Sequence, residues 1–163
     1  LQDMHERIRH LTDTLNSGIA LKRRIVEDLH PSSLYHLGLG ASLEILTKEF
    51  ADRSGIAVDT GVEEVNLDAA AQLTVYRLVQ EALTNIGKYA EATQVSVTVR
   101  NYPAHAEVDV KDNGKGFDTT HLKPSTHGLA GMRHRVEAAG GRLSVRSQPG
   151  RGTQVSASLP KMR

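Results

Sequence analysis

The apolar residues of this 163-residue chain change their spacing near Ser54-Gly55, and that change constrains the fold more than any other feature. Before it, Met4, Ile8, Leu11, Leu15 and Ile19, then Ile25, Val26 and Leu29, recur every three or four positions, the period of an amphipathic helix. Gly18 and Lys22 interrupt the stripe, and little else nearby is able to cover it, so it reads as a bundle or dimer seam. Pro31 stops or kinks this helix. Ser32 or Ser33 can cap the next helical run, which carries Leu34, Leu37, Leu39, Leu43, Leu46 and Phe50. From Ile56 the texture turns to alternating and β-branched residues, starting with a short strand over 56–59. The expected organisation is a helical segment over 1–53 followed by a separate domain over 54–163.

Within the second region Asp68 is a good N-cap for a long helix reaching about Ala90, with Leu73, Tyr76, Val79, Leu83 and Ile86 on its buried side. Strands over 94–100 and 107–111, joined by the Asn101-Tyr-Pro-Ala turn, predict an antiparallel hairpin. Val95, Val97 and Val99 alternate with Ser96, Thr98 and Arg100, as in a sheet with one solvated face. Residues 113–128 lack periodicity and are expected to form a mobile, lid-like loop. A helix over 128–139 closed by Gly140-Gly141 and strands over 143–147 and 154–159 complete the pattern. Hairpin links without strict strand-helix alternation point to an α+β fold, a two-layer sandwich with helices on one face of a mixed sheet.

Composition narrows the function. Hydrophobic residues make up 39% and charged residues 24%, a globular balance, and no apolar run approaches the roughly 20 residues that span a bilayer. No signal-peptide pattern opens the chain, and a cytoplasmic location fits. A first residue of Leu suggests a piece of a longer protein, with any membrane or sensor segment upstream. The absence of cysteine removes disulfides, zinc thiolates and cysteine nucleophiles together. A net charge of +1, no Trp and two Phe argue against direct nucleic-acid binding.

Three segments carry chemistry. Glu81, Asn85 and Lys88 follow i, i+4, i+7 spacing, which sets a carboxylate, an amide and an ammonium on one helix face. Magnesium prefers hard oxygens shared with nucleotide phosphates. Asn85 can supply one, Glu81 can hold a metal-bound water, and Lys88 can neutralise phosphate charge. In Asp112-Asn-Gly114-Lys-Gly116-Phe a carboxylate sits beside two glycines free to adopt positive φ or to approach a ligand closely. Asp112 offers an acceptor to an exocyclic amine, which favours adenine over guanine. The third segment, Thr126-His127-Gly128-Leu129-Ala-Gly131-Met132, enters a helix whose free N–H groups would favour phosphates, and His127 could donate to one. No Gly-x-x-x-x-Gly-Lys-Ser/Thr is present, so a P-loop is excluded, and no Rossmann fingerprint follows the first strand.

In this order, Gln-Glu-Ala-Leu-Thr-Asn-Ile-Gly-Lys (80–88), Asp-Asn-Gly-Lys-Gly-Phe (112–117), His-Gly-Leu-Ala-Gly-Met-Arg (127–133) and Gly-Arg-Gly-Thr (150–153) resemble the N, G1 and G2 boxes and closing strand of two-component sensor histidine kinases. The pattern is more narrowly similar to the nitrate/nitrite-sensor type, whose ATPase module is like those of gyrase, heat-shock chaperones and mismatch-repair proteins. It covers about residues 20–160. The resemblance implies ATP and magnesium as cofactors, with Asn85 on the metal and Asp112 on the adenine amino group. Glu81 and Lys88 would assist at metal and phosphates. Gly114 and Gly116 would shape the adenine pocket, residues 127–132 would supply the phosphate side through His127, Gly128, Leu129, Gly131 and Met132, and Thr153 would bring a hydroxyl near Asp112. It also implies a homodimer and a response-regulator receiver domain as partners.

Departures from the pattern qualify what this piece does alone. Leu29-His-Pro-Ser-Ser-Leu34-Tyr-His-Leu-Gly38-Leu matches the end of the family's second dimerisation helix, with His30 where arginine is characteristic. His30 is therefore a decoy for the phosphoacceptor, and a residue before proline is pushed out of helical geometry besides. The first hairpin helix and its histidine are expected upstream, so this chain should bind nucleotide without autophosphorylating. Tyr89 stands where the family often has His. His5 and His10 read as surface helix residues rather than phosphoacceptors, and His36, His105, His121 and His134 show no metal-ligand spacing and read as surface residues. The rival readings are a degenerate nucleotide-sensing, partner-binding module, an anti-sigma-factor-type serine kinase, and a chaperone-type ATPase.

Overall fold

The computed structural model describes residues 1–29, 31–121 and 128–162. Helix α1, Gln2–Leu29, is one uninterrupted helix through Gly18. Met4, Ile8, Leu11, Leu15 and Ile19 are each more than half exposed, so the rest of this chain leaves the stripe uncovered. The side chains of Ile25, Val26 and Leu29, and His30 altogether, lie outside the described residues. Among the described residues no helix is long and apolar enough to cross a membrane.

Helix α2, Ser32–Ser54, starts differently from expectation. Pro31 itself stands at the N-cap (φ −59°, ψ 124°) and makes no side-chain cap hydrogen bond. The helix is also broken at Gly38 (φ 83°, ψ 175°), a conformation that glycine adopts without penalty. The break re-phases the apolar stripe. Leu34, Leu39, Leu43 and Phe50 are buried, whereas Leu37, expected among them, is exposed. Gly55 ends α2 in the left-handed conformation, its N–H donating to the Ala51 carbonyl.

The sheet has five strands in the order β1-β2-β3-β5-β4. Strand β1, Ala57–Val62, pairs in parallel with β2, Gln94–Asn101, in the register Ala57↔Gln94 to Val62↔Val99. It runs further than the four residues expected because Thr60, Gly61 and Val62 also pair, opposite Val97, Thr98 and Val99. Strand β2 forms the predicted antiparallel hairpin with β3, His105–Asp112. Strand β5, Thr153–Pro160, lies between β3 and β4, Arg142–Ser147, antiparallel to both.

Helix α3, Ala69–Asn85, begins at the predicted cap, the Asp68 carboxylate accepting from Ala71 N–H at 2.7 Å. It passes into a π-helical turn, Ile86–Ala90, that ends at Glu91 with φ 53°. A 3₁₀ turn, Thr119–His121, occupies part of the segment read as a plain loop, and α4 spans Leu129–Ala138. The helices pack on one face, where Val75, Leu78 and Val79 of α3, Met132 and Val136 of α4, and Leu43 and Phe50 of α2 share a core with Val97, Val99, Val108, Val110, Ala157 and Leu159 of the sheet. The result is the two-layer α+β sandwich with a mixed sheet, preceded by a helical segment.

Candidate functional site

Three chain ends converge beneath α3. Asn85 closes α3, Asp112 closes β3, and Thr153 opens β5; all three line a cavity of about 180 Å³. Its helical wall is Ala82, Asn85, Ile86, Tyr89 and Ala90, a face with i, i+3/i+4, i+7/i+8 spacing. Val110 and Val155 form an apolar floor, Lys115, Gly116 and Phe117 come from the loop after β3, and Leu129 comes from the start of α4. The lining is mostly hydrophobic with few polar groups, the usual make-up of a small-molecule site.

Among the described residues Asp112 is the one charged side chain in the core, only 4% exposed. Burial pushes its carboxyl above the ordinary 3.8, and hydrogen bonds from the Gly114 and Thr153 backbone N–H groups pull it partly back. The Gly114 bond is 2.8 Å long. An ionised carboxylate accepts about four hydrogen bonds, so two protein donors leave capacity for a ligand amine. That spare acceptor, buried at the edge of an apolar cavity, fits an adenine ring.

The glycines of this loop serve close approach more than left-handed geometry. Gly114, expected to use positive φ, does not; a Cβ there would strike the Ala90 carbonyl, and Lys115 N–H donates to that same oxygen at 2.8 Å. Gly116 needs both freedoms, with φ 60° and the Gln148 and Gly152 carbonyls where a Cβ would go. Asn113 is structural, its side-chain oxygen accepting from Thr93 and Gln94 N–H at 2.9 and 3.0 Å. Ser147 ties the loop down from β4. Its hydroxyl accepts from Phe117 N–H at 2.9 Å, donates to the Gly152 carbonyl at 3.0 Å and lies 2.8 Å from the Thr153 hydroxyl. Neither the Ser147 tie nor the Phe117 wall is anticipated from the motifs.

The remaining candidates divide. Glu81, half-buried one turn before Asn85, lies against Gly128, where any Cβ would meet its carboxylate; Gly128 has φ 68°. The first and third motifs therefore touch. Lys88 is exposed on the π-helical turn and does not line the cavity. Gly131 lies on the exposed side of α4. Met132, expected on the phosphate side, is 1% exposed and joins Val136 in the stripe that α4 buries in the core. His127 lies outside the described residues. Among the described residues no three His, Cys, Asp or Glu side chains converge as a metal cage.

Fold and cavity together define an ATP-binding domain of the two-layer class. The chain belongs to the histidine kinase-, DNA gyrase B- and HSP90-like ATPase family, which matches residues 70–163. It is 39% identical over 156 residues to the signal transduction histidine-protein kinase/phosphatase DegS of Brevibacillus brevis, a match over 94% of this chain that spans only 40% of that relative's length. Among solved structures it is similar to the Erythrobacter litoralis EL346 blue-light activated histidine kinase domain, with TM-score 0.64 and 22% identity over 75% of this chain and 60% of that one. The Acinetobacter baumannii histidine kinase AdeS matches with TM-score 0.64 and 15% identity over 94% of this chain and 85% of that one. At these identities the structural likeness speaks to fold.

Proposed function

We propose that the chain is the ATP-binding catalytic part of a sensor histidine kinase, with residues 1–53 as the incomplete second-helix segment of its dimerisation hairpin and residues 54–163 as the catalytic domain. The narrower nitrate/nitrite-sensor type rests on the motif order alone. The buried Asp112 carboxylate, with spare acceptor capacity at the edge of an apolar cavity walled by Asn85, carries this reading. When bound, magnesium-ATP would supply the γ-phosphoryl group and the positive charge that offsets it.

The chain's own residues position and select. Asp112 accepts the adenine amino group and rejects guanine, which would present an oxygen to a carboxylate. Val110, Val155 and Ile86 enclose the ring and exclude water. Asn85 and Glu81 are the residues that would hold the magnesium, which would bring charge neutralisation to the phosphates. Lys88 faces the phosphates electrostatically, and Gly128 and Leu129 begin the phosphate side. In the whole protein, a homodimer in the cytoplasm, the phosphoryl group passes to a histidine nitrogen outside this chain and then to a receiver-domain aspartate.

Calorimetry with ATP and GTP, with and without magnesium, tests the assignment. Magnesium-dependent ATP binding, no GTP binding, loss on Asp112→Asn and weakening on Asn85→Ala are expected. Absence of ATP binding by the unaltered chain would overturn it in favour of a degenerate partner-binding module.

A further inference from the structure

A second cleft, of about 390 Å³, opens around the β4–β5 turn. Lys111 and Arg146 both pair with Gln154, one from each side, so the three form a row across the sheet. Arg151 joins them from the turn, and Thr119 and Gln148 add further polar groups. None of the three cations makes an ion pair among the described residues. Asp109, two residues before Lys111 on the same strand, accepts instead from Gln154 Nε2 at 3.0 Å and from the Ser156 hydroxyl. Asp118 accepts from the backbone and hydroxyl of Thr120 at 2.9 and 2.7 Å. Arg146 on the edge strand has a simple use in blunting that edge, but Lys111 lies on the interior strand β3 and Arg151 on a turn, where no edge needs protection.

We propose that this cleft is an anion site, separate from the nucleotide cavity, for a phosphate-class anion with two or more oxyanion groups, of which pyrophosphate is the simplest. The backbones of Lys111 and Arg146 stand two strand spacings apart, about 10 Å, which suits a bridging anion better than a single phosphate. The two cavities share Thr153, and the residue between Arg146 and Gln148 is Ser147, whose hydroxyl holds Phe117 of the nucleotide cavity. An anion drawing Arg146 and Arg151 together therefore acts on the same turn that shapes the first cavity. This coupling, unlike the anion site itself, rests on the nucleotide reading above.

Amide NMR of the 163-residue chain, titrated with magnesium-free pyrophosphate against sulfate at matched ionic strength, tests the proposal. Saturable shifts at Lys111, Arg146, Gln148 and Arg151 are expected with pyrophosphate, surviving Asp112→Asn. Arg146→Gln and Arg151→Gln, with spectra otherwise unchanged, each weaken binding about threefold and together about tenfold, as for exposed charge contacts. The change in ATP affinity that pyrophosphate causes should differ at least about twofold between the unaltered chain and the double variant, again the size of one exposed charge contact. Equal shifts with sulfate, shifts confined to Asn85, Gly116 and Leu129, or unchanged affinity in the double variant would each overturn the site. Equal pyrophosphate effects on ATP in both proteins would overturn the coupling. Cleft shifts without any ATP binding would remove the nucleotide reading and leave the anion site standing.

Discussion

Asp112 is held where its charged form is disfavoured. Its folded pKa is raised by burial, so its own contribution to native stability is greatest below the ordinary 3.8 and declines as pH rises through the raised value. Above that raised value the ionised carboxylate opposes folding. Asp112→Asn keeps an oxygen for Gly114 N–H and sheds that cost, so it should melt no lower than the unaltered chain at neutral pH, with the advantage vanishing in acid, while ATP binding is lost. Thermal melts across pH check this; destabilisation by more than about 1 kcal/mol at neutral pH, the worth of one hydrogen bond, would contradict it. ATP affinity of the unaltered chain should itself fall as pH drops through the raised Asp112 value. The residue was legible because a carboxylate between a valine-rich strand and two glycines is a conspicuous choice. The reason for Gly114 was not, since it depends on a carbonyl 24 residues earlier at Ala90.

At the scale of elements, α2 meets the wall of the cavity at Gly87. A Cβ on Gly87 would lie 3.3 Å from Phe50 Cε2, so the ring rests against the π-helical turn that presents Tyr89 and Ala90. Phe50→Ala should cost about 3–5 kcal/mol by urea unfolding, the range for a buried aromatic, and should weaken ATP binding beyond what partial unfolding explains. Phe50→Leu should restore most of both; unchanged affinity in a folded Phe50→Ala protein would dissociate α2 from the site. The strands were readable because alternation survives on a half-solvated sheet, as at Val95, Val97 and Val99. The π-helical turn and the Gly38 break were not, because both arise where tertiary packing overrides a continuous helical period.

For the whole molecule, the chain carries two apolar surfaces with different fates. One is the common core of α2, α3, α4 and the sheet; the other is the stripe of α1, which stays in water. An exposed row of five large apolar side chains signals an interaction surface. Ile8→Glu with Leu15→Glu should abolish concentration-dependent self-association in sedimentation, leaving the melting of the ATP-binding body unchanged; a chain that is monomeric before substitution would remove the seam reading. The ATPase architecture was legible because its motifs come from the ends of α3, β3 and α4, where sequence order already reports on position. In evolutionary terms the π-helical turn of residues 86–90 is a one-codon device. Losing a single residue from it would restore the α-helical ladder while the chain on either side stays nearly in phase, since a π-helical turn holds one residue more than an α-helical one, so a lineage could exchange a side chain of the cavity wall without moving Asn85.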